Sequence, residues 1–132
     1  MTFFNNFMRD SQTLLDPGDP INHICDCSVK QPLLLHQMTG DVVVSNSTTQ
    51  NLVRAGDLRQ ITTLGPNPVG VEGVWANMIK GGHGSLFSPI QGTPPSPGAT
   101  AEMQKEVVTF AVSANAGTPA VIISDKTVVE VK

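Results

Sequence analysis

Pro32-Leu33-Leu34-Leu35-His36-Gln37-Met38-Thr39-Gly40-Asp41-Val42-Val43-Val44 is the stretch on which the fold turns. Its first part, Pro32 to Gln37, is a short continuous apolar run of the kind found in strands covered on both faces. It ends in a Gly-Asp pair, which reads as a loop. The pattern recurs downstream. Residues 73–80, with Val74-Trp75-Ala76-Asn77-Met78-Ile79-Lys80, read as a second buried strand, followed at once by Gly81-Gly82-His83-Gly84-Ser85-Leu86. Each time, a side chain fit for acid–base chemistry sits on a glycine-flanked loop just past a buried strand. Open parallel sheets keep their chemistry at the carboxyl ends of strands.

Between the two runs, Ser45-Asn46-Ser47-Thr48 supplies capping residues and Leu52, Val53 and Ala55 an apolar face, so Ser45 to Leu58 is predicted to hold a short helix. Gly65-Pro66-Asn67-Pro68-Val69-Gly70 reads as a turn. A strand–helix–strand passage of this length is a right-handed crossover within a parallel sheet. Further out, Phe3, Phe4, Phe7, Met8, Leu14 and Leu15 fall at roughly helical spacing until Asp16-Pro17-Gly18-Asp19-Pro20 stops them. Gly81 to Ala99 is expected to be a long loop, with prolines at 89, 94, 95 and 97. Thr100-Ala101-Glu102-Met103 opens a helix whose apolar face is Val107, Val108, Phe110 and Ala111, ending near Asn115-Ala116-Gly117. Residues 119–124 and 127–131 are β-prone and are expected to form one hairpin turning at Asp125-Lys126. The fold class is therefore α/β, with one domain over residues 1–132. Two parallel core strands with three helices resemble the terminal third of a larger sheet, incomplete as a stand-alone domain.

Composition removes several alternatives. A length of 132 residues is too short for two ordinary domains. Mean hydropathy of +0.01 fits a globular chain, and the ten prolines and twelve glycines are spread too evenly for a collagen-like or low-complexity segment. Eight Lys and Arg against eleven Asp and Glu, never clustered, leave no footprint for nucleic acid. No apolar run approaches the ~18 residues of a membrane span. Met1 to Asp10 lacks the basic start and long apolar centre of a signal peptide. Cys25 and Cys27 stand one residue apart, where a bridge would close a strained ring, so reduced thiols are expected.

The candidate chemistry is that of Asp41 and His83. In Ser-His-acid catalysis the histidine takes the serine proton, while a carboxylate holds the imidazole in the right tautomer. The acid-then-histidine order matches α/β hydrolases, in which the serine comes first of all. Gly82 and Gly84 would let His83 occupy a tight exposed loop. The nucleophile elbow, G-x-S-x-G between strand and helix, appears nowhere in the sequence. Ser85 is the fallback nucleophile and Ser45 a second, but neither has the strand–turn–helix setting that exposes an activated hydroxyl. Ser85 is better placed to hydrogen-bond within the histidine loop. A zinc reading rests on His23, Cys25, Cys27 and His36, whose spacing matches no standard finger or ribbon. His23 and His36 read more simply as structural residues, so neither a metal nor another cofactor is expected.

The ordered set Leu15-Asp16-Pro17-Gly18-Asp19-Pro20-Ile21-Asn22-His23, Leu33 to Val44 around Gly40-Asp41, Gly82-His83-Gly84-Ser85-Leu86 and Thr100-Ala101-Glu102-Met103-Gln104 resembles the C-terminal part of bacterial extracellular or surface lipases. These are lysophospholipase-like members of the α/β-hydrolase superfamily. The resemblance runs over nearly the whole chain. It implies Asp41 as the triad acid, His83 as the general base, acyl ester or lysophospholipid substrates, no metal, and an extracellular or cell-surface location. It also implies that the serine, its elbow and the oxyanion-hole segment belong upstream, so that the partner is an N-terminal hydrolase portion. The chain departs from the family where valines are often followed by proline, carrying Val44-Ser45-Asn46.

Two competitors remain from the sequence. One is a non-enzymatic structural or interaction module, for which Arg54-Ala55-Gly56-Asp57 and Gly117 to Ile123 faintly resemble small zinc-binding spike-tip proteins. The other is a degenerate hydrolase piece kept for self-association through exposed sheet edges.

Overall fold

The computed structural model describes residues 2–90 and 95–132, with backbone alone for Thr2, Phe3 and Gln12. In chain order the elements are α1 (Thr2–Leu15), α2 (Ile24–Lys30), β1 (Leu34–Met38), α3 (Asn46–Ala55), β2 (Arg59–Gln60), β3 (Gly65–Pro68), β4 (Val74–Met78), α4 (Pro97–Asn115) and β5 (Ala120–Ile123). Single 3-10 turns at Asp16–Gly18 and Pro20–Asn22 separate α1 from α2.

The chain is mixed α/β with a small parallel sheet. β1 pairs in parallel with β4, Leu34 opposite Val74 through Met38 opposite Met78, and the short β2 pairs in parallel on the other side of β4. Strand alternation sends Leu34, Met38, Val74, Ala76 and Met78 to one face, where they pack with Ala99 and Met103 of α4 and Val121 and Ile123 of β5. Leu33, Leu35 and Trp75 go to the other face, against Ile24 of α2 and Val53 of α3. Both faces of β1 and β4 are thus covered, which is why their sequences run apolar without alternation.

α4 begins three residues earlier than its sequence start signal. Ser96 caps it, its Oγ accepting the Ala99 N–H at 3.3 Å, and Pro97 occupies the first turn. Buried Ala99, Met103 and Glu106 recur at helical spacing along the inner face. The middle of the expected long loop, residues 91–94, lies outside the described residues.

Three sequence expectations are corrected. Gly65–Pro68 is a strand, not merely a turn, and pairs antiparallel with β5. Val69 N–H donates to the Pro119 carbonyl, so the odd-numbered residues carry the ladder, and Pro66 and Pro68 fall where no N–H is required. The hairpin of residues 119–131 does not form. Asp125 instead accepts the N–H groups of Val128 and Val129 on its carbonyl and that of Thr127 on its carboxylate, a wide reversal that carries the chain back to β4. There Val129 bridges Met78, and Glu130 N–H donates to the Asn77 carbonyl. Burial of Val128 and Val129 drives that route. Finally, α2 occupies a stretch read only for metal ligands.

Candidate functional site

The two loops stand side by side at the carboxyl ends of β1 and β4. Thr39 N–H still donates to the Met78 carbonyl at 2.9 Å, so the strands stay together up to the loops. β1 then turns sharply, with Asp41 N–H donating to the Met38 carbonyl at 3.1 Å. Asn46, at the start of α3, donates Nδ2–H to the Thr39 carbonyl at 3.2 Å. Gly40 lies against the partner loop: a Cβ there would sit 3.1 Å from the Gly81 carbonyl oxygen.

The histidine loop is built on Gly81, whose φ of +93° and whose near contact with Ser85 exclude a side chain. Gly82 N–H donates to Ser85 Oγ at 2.8 Å and Ser85 N–H returns to the Gly82 carbonyl at 3.0 Å. Thr100 of α4 donates its hydroxyl to the Ser85 carbonyl at 2.6 Å, fastening the loop to the helix. Ser85 is therefore a structural brace. It is 1% exposed and its hydroxyl accepts a backbone N–H, unlike the exposed hydroxyl expected of a nucleophile. Ser45 is exposed, but its hydroxyl meets those of Ser47 and Thr48.

With both loops held, Asp41 Oδ2 lies 3.1 Å from His83 Nδ1. The other carboxylate oxygen, Oδ1, accepts N–H groups from Val43 at 2.8 Å and Val44 at 2.9 Å. The carboxylate is 9% exposed and the imidazole 51%. Burial pushes the Asp41 carboxyl upward, but the Val44 and Val43 amides and then His83 outweigh it and hold it below its ordinary range. An ionised Asp41 is acceptor-only, so a neutral His83 carries its proton on Nδ1 and presents the Nε2 lone pair. Among the described residues Nε2 has no hydrogen-bond partner. That arrangement suits a general base whose substrate proton arrives from solvent side.

A cavity of about 310 Å³ opens beside the loops, lined by Gly40, Ile79, Lys80, Gly81 and residues 95–97. Exposed Val42, Val43, Phe87 and Ile90 make the two loops apolar on their outer side.

The residues of the zinc reading are not brought together. His23 Nε2 lies 2.8 Å from the Pro17 carbonyl, whereas His36 Nε2 lies 2.7 Å from Glu106 Oε2 within the core. Cys25 is exposed, Cys27 half-buried, and both are free thiols. Among the described residues no three His, Cys, Asp or Glu side chains converge to hold a metal ion.

The amides of Val43 and Val44 were missed in the sequence, although aspartate commonly binds the N–H two residues on, so the signal was present. Glu106 was missed as well; nothing local distinguishes it from Glu102, the other acid of α4. Among the described residues no helix is long and apolar enough to cross a membrane. Comparison with family models, curated proteins and solved structures finds no match to this chain.

Proposed function

We propose that Asp41 and His83 are the acid and histidine of a Ser-His-Asp triad that hydrolyses carboxylesters, with the serine on polypeptide other than residues 1–132. One observation carries the reading: the 3.1 Å contact of Asp41 Oδ2 with His83 Nδ1, made by two loops at the same end of neighbouring parallel strands. In this reading β1 and β4 are the acid and histidine strands of an α/β-hydrolase sheet. The preference for acyl or lysophospholipid esters and the extracellular location rest on the lipase resemblance.

His83 Nε2 removes the serine Oγ proton as Oγ bonds to the ester carbonyl carbon. The tetrahedral intermediate then collapses, the ester C–O bond breaks, and the proton passes from Nε2 to the leaving alkoxide. Water repeats the sequence on the acyl-serine and releases the acid. Asp41 stays ionised throughout, holding the ring and stabilising its charged form.

The test joins the chain to the coding sequence immediately upstream of residue 1 and measures p-nitrophenyl ester hydrolysis and fluorophosphonate labelling. A serine outside residues 1–132 should label stoichiometrically, and the 132-residue chain alone should not. Labelling of a serine within the 132 residues overturns the reading, as does hydrolysis unchanged by His83→Ala.

A further inference from the structure

α1 is the helix whose apolar residues join neither core cluster. Its main contact with the rest of the fold is the 3-10 turn at Asp16–Gly18 that follows it. Phe4, Phe7, Met8, Leu14 and Leu15 are each at least 50% exposed. At 3.6 residues per turn these five fall within an arc of about 120°, with Asn5, Asn6, Arg9 and Thr13 on the opposite side. A lone helix of this length is marginal in water and gains its stability by burying such a face. Among the described residues nothing buries it, so its cover lies elsewhere.

Charge, length and width together say what that cover is. Arg9 and Asp10 are the charged residues of α1, and they pair with each other at 2.7 Å. The stripe therefore lacks the flanking charges that set a partner helix in register. Asp16 and Asp19 follow directly, and their carboxylates disfavour an anionic surface. At 1.5 Å per residue α1 is about 21 Å long, two heptads where a coiled coil shows three or four. The arc of about 120° is also wider than the narrow seam that a helix pair buries. A broad, apolar, electrically neutral medium with no register to match is the interface of a lipid bilayer.

We propose that α1 docks the chain on a zwitterionic bilayer, its axis in the membrane plane and Phe4, Phe7, Met8, Leu14 and Leu15 among the acyl chains. Asn5, Asn6 and Thr13 then face water. Apolar burial supplies the binding, so curvature that opens the head groups strengthens it and salt leaves it unchanged. The proposal uses neither Asp41 nor His83.

Flotation of the full 132-residue chain with small vesicles of phosphatidylcholine alone tests this. The chain should float with the vesicles, equally from about 0.1 M to about 1 M sodium chloride. The Phe7 and Met8 amides should exchange at least about tenfold more slowly on vesicles than in water, as a stabilised helix requires. Phe7→Ser should weaken lipid affinity at least about tenfold, the worth of one large apolar side chain. Asn6→Ser, on the polar side, should leave it within about twofold. Failure to float, or flotation that needs phosphatidylglycerol or is abolished by salt, overturns the proposal. A dimer in sedimentation that Phe7→Ser dissolves makes the occupant a second copy and overturns it as well. The chain joined to its upstream coding sequence should still float; loss of binding there shows that the added polypeptide covers α1, and overturns it too. No step reads ester cleavage, so docking and the triad can each fail while the other stands.

Discussion

Asp41–His83 and His36–Glu106 are the same chemical pair in two settings. At the loop pair, one carboxylate oxygen takes two backbone amides, the other takes the ring, and the imidazole is half exposed. At the strand pair, one oxygen takes the ring at 2.7 Å, the other has no hydrogen-bond partner among the described residues, and the two side chains are 10% and 0% exposed. The first can hand a proton to a molecule arriving from outside; the second cannot without opening the core. Position on the strand makes the difference. His36 sits mid-strand under α4, whereas His83 lies five residues beyond the end of β4, on a loop that Ser85 and Thr100 hold clear of the core. A histidine–carboxylate contact is therefore not by itself a functional site, and ring access distinguishes the two.

The largest effect that could break this comparison is kinetic. On the triad reading, His83→Ala in a protein that includes the serine should lower kcat by about 10⁶-fold, the cost of removing a triad histidine. His36→Ala should leave kcat within about threefold, once measured well below the unfolding temperature, because it touches no reacting atom. Comparable losses from the two variants in folded protein would erase the distinction. The next effect is thermodynamic and runs the other way. Glu106→Ala leaves a buried histidine without its partner and should cost about 3–5 kcal/mol in urea unfolding. Asp41→Ala, at the surface end of the sheet, should cost only about 1–2 kcal/mol.

A smaller effect sharpens how the loop pair is held. Gly81→Ala forces a side chain into a φ of +93° and within 2.8 Å of Ser85 Oγ. Strain of this kind costs about 1–3 kcal/mol, and the histidine loop should loosen with it. Gly117, at the end of α4, also has a positive φ, +78°, but open space around its Cβ position. Gly117→Ala should cost only the backbone part, about 1 kcal/mol. Equal losses in thermal unfolding would mean that the Ser85 contact does not brace the loop.

What was legible in the sequence was what local signals encode. Apolar runs marked β1 and β4, capping residues marked α3, and glycines marked the two loops, so the Asp41–His83 contact could be expected across 42 positions. What escaped depends on partners far along the chain. Gly65-Pro66-Asn67-Pro68 has the composition of a turn, and only the register against β5 shows that both prolines avoid the ladder. Glu106 lies 70 residues from His36, so the histidine could be read as structural while its partner stayed hidden. Val128 and Val129 looked like half of a hairpin because β-propensity does not say which strand is met.

The smallest effect concerns the charge on Asp41. The Val44 and Val43 amides and His83 hold this carboxyl below its ordinary value of about 3.9, against the opposing pull of burial. A carboxyl with a depressed folded value contributes stability that is complete above its unfolded value and is lost as pH falls through the folded one. The stability difference between the unaltered chain and Asp41→Asn should accordingly be flat above about pH 5 and shrink below about pH 4. His83→Ala removes one of the donors and keeps the two amides, so its acid limb should lie between those of the unaltered chain and Asp41→Asn. Urea titrations at half-unit steps from pH 6 to pH 3 give all three curves. Parallel curves for Asp41→Asn and the unaltered chain down to pH 3 would show that the amides do not hold the charge, leaving ring exposure as the sole difference between the two pairs.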